Sequence, residues 1–217
     1  SSVLPFTVLG RKMYVYSSIC GIVGVSAEEE SRGELLFTSD ALNPNDIATS
    51  PIHLGDVRFY ITAGYGAGST RIRITEAGGT YSVETLKTLK PDEGLASEQQ
   101  TPVFYDGHLF AILPKDAGPQ RNQLVCCHPD DPGTIVWTCG RTSRFGLGPF
   151  LVADGKFFVL SDDGVLTVLE ASTREYIQLA QAKVLPGVDA WGPMALVEGR
   201  LLLRDSHHLV CLDVRAR

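Results

Sequence analysis

The chain has 217 residues, 44% of them hydrophobic and 20% charged, ordinary proportions for a globular fold. Its formal charge of −6 gives no general attraction for phosphate backbones or anionic lipid surfaces, so nucleic acid is not an expected partner. No apolar run approaches the roughly 18 residues that a membrane span requires, and the opening Ser-Ser-Val-Leu-Pro-Phe-Thr-Val lacks a signal peptide's basic end and apolar middle, as in a cytosolic protein or a mature or trimmed chain.

One phrase recurs along the chain: a proline, alternating residues, a tight turn containing glycine, and a second alternating run. It begins at Pro5 (PFTVLGRKMYVY), Pro51 (PIHLGDVRFYI), Pro102 (PVFYDGHLFAI), Pro149 (PFLVADGKFFVL) and Pro193 (PMALVEGRLLL). The prolines are 46, 51, 47 and 44 residues apart, within the range of about 40–50 residues that marks four-stranded, WD40-like propeller blades. The Asp-Gly pairs at 106–107 and 154–155 are strong hairpin signals between alternating runs. A third strand is predicted in each copy at Gly21–Val25, Arg71–Ile74, Leu124–Cys127, Val165–Leu169 and Leu209–Val214, and a fourth at segments such as Glu34–Phe37 and Thr134–Trp137. No long amphipathic helix interrupts this pattern. The reading is an all-β fold, a single propeller over residues 1–217 with blades near 1–46, 47–97, 98–144, 145–189 and 190–217.

The last copy ends after its third strand. Either five copies close as a small ring with one short blade, or they form the C-terminal part of a larger ring. The second is favoured, because nothing in the sequence supplies the missing strand and an open array exposes pairing edges.

Five cysteines stand at 20, 126, 127, 139 and 211, an odd number without regular spacing and without a C-x-x-C pair. Neither a disulfide framework nor a structural zinc site is expected. The adjacent pair Cys126-Cys127 aligns with Cys211-Leu212 of the last copy, so both belong to a third strand and point to opposite faces. Free thiols acting as small apolar residues are the expectation.

The stretch Pro129-Asp-Asp-Pro-Gly133-Thr-Ile-Val-Trp137 resembles the signature of pyrroloquinoline-quinone-type propeller repeats, and Gly33-Glu-Leu-Leu-Phe37 is a weaker version with Phe in place of Trp. The second and fourth copies depart further, with only Tyr81 and Tyr176 near that place. The phrases Leu160-Ser-Asp-Asp-Gly164 and Ala190-Trp-Gly-Pro193 also look like bacterial quinoprotein-like propellers. The resemblance implies that Trp137 and Phe37, with Gly133 and Gly33, dock one blade on the next. It further implies a mostly periplasmic superfamily, typically of eight blades, in which dehydrogenases hold the quinone and calcium over the central channel. Many of its members keep the repeat without a cofactor. Function therefore has to be argued from a site.

Most candidate motifs dissolve on inspection. The loop Gly64-Tyr-Gly-Ala-Gly68 is followed by an alternating strand rather than the helix N-terminus that a phosphate cradle needs. His207 and His208 lack a matching third ligand for a metal, and neither G-x-S-x-G nor H-E-x-x-H occurs. Topology is more informative. In a propeller the strand-4-to-1 and strand-2-to-3 connections share the face around the channel mouth. Here they include Glu98–Thr101, Arg144–Gly148 and Asp189–Gly192, with Gly64–Ser69, Pro114–Asn122 and Arg204–His208. Loops on a rigid scaffold are where function concentrates. The last blade is richest, with Asp189, Trp191, Arg204, Asp205, His207 and His208, and Arg144 adds a cation next door.

The expected function is non-catalytic binding of a protein or small ligand at the channel mouth, without metal or cofactor, with further blades or another segment as candidates to complete the ring. A quinone- and calcium-dependent dehydrogenase, or a fragment of one, is the alternative. A carbohydrate-active propeller with paired carboxylates is a third reading.

Overall fold

The computed structural model describes residues 1–215. Nineteen strands form five antiparallel sheets, met one after another along the chain. The first contains β1 (Leu4–Val8), β2 (Arg11–Ser18), β3 (Gly21–Ser26) and β4 (Leu35–Ser39). The second contains β5 (Ile52–His53), β6 (Arg58–Ala63), β7 (Gly68–Ala77) and β8 (Thr80–Leu89). The third contains β9 (Val103–Tyr105), β10 (His108–Ile112), β11 (Leu124–His128) and β12 (Asp131–Thr138). The fourth contains β13 (Phe150–Ala153), β14 (Lys156–Leu160), β15 (Val165–Glu170) and β16 (Gln178–Lys183). The fifth has three strands, β17 (Ala195–Val197), β18 (Arg200–Arg204) and β19 (Leu209–Asp213). Each sheet pairs its strands in chain order, the meander of a propeller blade. Among the described residues the only helical element is a single 3-10 turn at Gly118–Gln120, and no helix is long and apolar enough to cross a membrane.

The first two strands of every blade are joined by a turn with two successive positive-φ residues: Leu9-Gly10, Gly55-Asp56, Asp106-Gly107, Asp154-Gly155 and Glu198-Gly199. Such turns match the right-handed twist of the strands they join, and glycine removes the steric cost at one of the two positions. A register shift between the third and fourth strands recurs in all four complete sheets, bending the outer strand at the same level each time.

Side-chain alternation decides how the sheets stack. In β10, Leu109 and Ala111 enter the core shared with the second blade, while Phe110 and Ile112 enter the core shared with the fourth. In β6, Phe59 and Ile61 face the first blade and Tyr60 the third. In β14, Phe157 and Val159 face the third blade and Phe158 and Leu160 the fifth. Four cores thus join five blades in series. No core among the described residues joins the fifth blade to the first. On the end blades one side of each second strand is buried (Met13 and Val15; Leu201 and Leu203), and the other side, with Tyr14 and Leu202, remains at least partly exposed.

This arrangement separates two neighbouring leucines. Leu203→Ala empties a packed core position and is expected to cost about 2–5 kcal/mol, whereas Leu202→Ala costs well under half of that, both read from urea unfolding midpoints.

Candidate functional site

The approaches to the first strands bond to one another across blades. The Ser2 amide donates to Ser50 Oγ at 2.9 Å and the Ser50 amide to Thr101 Oγ1 at 2.9 Å. The Gln100 side-chain amide donates to the carbonyls of Leu147 (3.3 Å) and Trp191 (3.1 Å). This hub ties all five blades at their inner edge. Beneath it Glu98 is buried against Gly64, where a Cβ would strike the Glu98 side chain. Lys115 Nζ lies 3.6 Å from one carboxylate oxygen of Glu98. The glycine-rich loop of the second blade leans on the third: the Gly66 amide donates to Asp116 Oδ2 at 2.8 Å, and Lys115 sits over the Tyr65 ring.

In the last blade the structure gathers part of the predicted cluster. Asp205 is buried and accepts hydrogen bonds from the amides of His208 (2.7 Å), His207 (2.9 Å) and Gly187 (3.2 Å), with His208 Nδ1 at 3.1 Å. Burial alone would raise its carboxyl, but these donors hold it well below the usual carboxylate range. Asp205 thereby braces the β18–β19 connection against the β16–β17 connection. Arg204 is exposed and its guanidinium stem lies over Gly192, where a Cβ would meet it. Trp191 is 42% exposed and its amide donates to the Asp189 carbonyl at 2.9 Å. Asp189 itself occupies a positive-φ position. Among the described residues no three His, Cys, Asp or Glu side chains gather where they could hold a metal ion. Calcium demands several oxygen ligands at once, so these residues do not fit a calcium-assisted quinone.

Arg144 lies apart from that cluster. It lines a hollow of about 390 Å³ between the β10–β11 connection and the β12–β13 connection, together with Arg121, Asn122, Gln123, Arg141 and Ser143. Asp162 grips the Arg144 guanidinium with both carboxylate oxygens and also accepts the Leu147 amide. Gly146 makes room for that carboxylate, since a Cβ there would collide with it. The walls are fixed by the Phe145 amide on the Asn122 carbonyl (3.0 Å) and by Cys139 Sγ on the Ser143 carbonyl (3.3 Å). Sequence reading singled out Arg144 but passed over Arg121 and Arg141. The available signal was three arginines on two connections that propeller topology assigns to one face.

The remaining predicted residues lie in and beside the cores. The Trp137 indole donates to the Ser172 carbonyl of the fourth blade at 3.1 Å and packs near Phe110 and Tyr176. Phe37 covers Gly24, whose Cβ would fall inside its ring, within the first inter-blade core. Gly133 runs beside the Glu93 carbonyl, and Gly33 takes positive φ in the turn before β4. Cys126 and Cys127 are free and enter different cores, the one shared with the fourth blade and the one shared with the second. Burial pushes both thiols up to about 12 and that of Cys139 to about 11.

No known family model matches the sequence, and no curated protein sequence does. Solved structures match in shape. BamB from Moraxella catarrhalis covers 95% of this chain and 55% of its own at 13% identity, with a TM-score of 0.60. Two AztD structures from Citrobacter koseri are both 12% identical: the apo form covers 98% of this chain and 56% of its own (TM-score 0.50), and the other covers 95% and 66% (TM-score 0.51). All are β-propeller proteins. This chain is a β-propeller too. It spans little more than half to two thirds of the length of the structures it matches, and at such identity the likeness carries the fold alone.

Two measurements check the local chemistry. At pH 8 iodoacetamide should alkylate only the exposed Cys20 and Cys211 of the native chain, and all five cysteines after unfolding. Because the Asp205 carboxyl is depressed in the fold, its stabilisation is complete above the unfolded carboxyl value of about 3.9 and is lost as pH falls through the lower folded value. Asp205→Asn should therefore lower the urea midpoint at pH 7, and its deficit should shrink in increasingly acid solution.

Proposed function

We propose that this chain is a non-catalytic propeller scaffold that binds a small ligand on the face carrying its long connections. The observation that carries this reading is the hollow of about 390 Å³ between the β10–β11 and β12–β13 connections of the third blade, within the size range of small-molecule sites. It lies on connections rather than in a core, and its walls are held by backbone hydrogen bonds, so binding needs little reordering. The β-propeller likeness supports a scaffold without naming its ligand.

The uncovered sides of the first and fifth blades support a second element of the proposal, that the five blades are an arc of a larger ring. Ala195, Leu202 and Cys211 are register partners across the open side of the fifth blade. In a longer chain including the flanking coding sequence, Cys211 should become resistant to alkylation; a fully reactive Cys211 there overturns the arc.

Thermal-shift screening against polar metabolites tests the binding function. Ligands that raise the melting temperature are expected, and Ser143→Trp, which fills the hollow, should abolish the rise. Hits unaffected by that substitution remove the site from the reading. Dye reduction by alcohols or sugars after adding quinone and calcium would overturn the non-catalytic assignment.

A further inference from the structure

We propose that the hollow beside the third blade, between its β10–β11 connection and the β12–β13 connection, is an oxyanion site for a small dianion bearing carboxylate or phosphate groups. This deepens the reading of a small-ligand site on the connection face and rests on it.

Charge is the first argument. Three arginines and no Asp or Glu are among the residues that line the hollow. Arg144 is already matched by Asp162, but Arg121 and Arg141 make no ion pair and no side-chain hydrogen bond among the described residues. Two uncompensated cations facing one small space repel each other, and a ligand with two negative charges relieves that repulsion. A guanidinium presents donors in a planar fork that matches carboxylate or phosphate oxygens. The Asn122 side chain adds an amide on the same wall.

Pre-organisation is the second. Asn122 is held from both sides: its amide donates to the Leu113 carbonyl at 2.9 Å, and its own carbonyl accepts the Phe145 amide. The Gln123 side chain donates to the Pro119 carbonyl at 3.2 Å, which fixes the 3-10 turn beside Arg121. Phe145 is buried, anchoring the loop that carries Arg141 and Arg144. Arg141 also borders an adjoining hollow of about 430 Å³ that shares Pro119 and Gln123, so its guanidinium can meet a ligand from either side.

Size is decided by the rest of the molecule. With a net charge of −6, the body of the protein repels an extended polyanion. A small dianion feels mainly the local arginines, because surface charges are screened beyond about 8–10 Å at physiological salt.

Isothermal titration calorimetry of the 217-residue chain with inorganic phosphate, succinate and neutral glucose tests the proposal. Phosphate or succinate should bind, more weakly as salt rises, and the stronger of the two identifies the group. Arg121→Gln and Arg141→Gln should each weaken binding by about tenfold or more, as expected when a charge-assisted hydrogen bond is lost, while Arg141→Lys keeps part of it. Both side chains are exposed, so melting temperatures should stay unchanged in these variants. Failure of both anions to bind, or equal binding by the double Gln variant, overturns the proposal. If glucose binds instead and Ser143→Trp removes it, the small-ligand site stands and its anionic character falls. If no probe binds and the metabolite screen is also empty, both readings fall.

Discussion

A sheet buried on both faces must find a neighbour on each side, and this requirement governs the whole molecule. In the three middle blades the second strand is apolar at nearly every position because alternate side chains serve different cores: Leu109 and Ala111 one, Phe110 and Ile112 the next. Each core is completed by the following blade, so stacking is the only way for any of these sheets to leave water. Burial of this kind is the dominant favourable term in folding. Turns of two positive-φ residues recur in all five blades and the register shift in the four complete ones, so similar sheets meet at successive interfaces.

Because the cores consume the sheet faces, chemistry is confined to the connections. On one side the first two strands of each blade are joined by tight two-residue turns with little room. On the other, long segments cross from each outer strand to the next inner strand, and in the third blade from second strand to third. The hub of Ser50, Thr101 and Gln100 locks the inner ends of those segments. On two other connections, β10–β11 and β12–β13, the arginines at 121, 141 and 144 line one hollow. The second of these connections also meets the hub, through the Leu147 carbonyl.

The fold was legible in the sequence because it is local and repeated. Proline, alternation and X-Gly recur at a nearly constant spacing, and each copy needs only its own residues to announce a hairpin. Cys126-Cys127 became readable once set against Cys211-Leu212, since period-two geometry sends neighbours to opposite faces. The candidate site was legible only in outline. Topology indicated the face, but not that Asp205, read as one of its candidate ligand-binding residues, accepts three backbone amides. Nothing in its neighbourhood in the sequence reveals Gly187 as a partner. Arg121 and Arg141 are 20 residues apart, and their convergence depends on how the twist of the third blade brings two connections together. A pattern along the chain cannot encode that.

The absence of a core between the last described blade and the first gives the molecule a directional character. Among the described residues three blades lean on two neighbours each and two lean on one, so cohesion within these five runs along the chain as nearest-neighbour links. In such a one-dimensional assembly, order is lost most readily from the extremities inward. The hollow lined by Arg121 and Arg141 lies between two connections of the third blade, the second of which leads into the fourth. A ligand seated there would hold those connections to each other beside Arg144, which Asp162 of the fourth blade already grips, and so would act as a clasp next to that link.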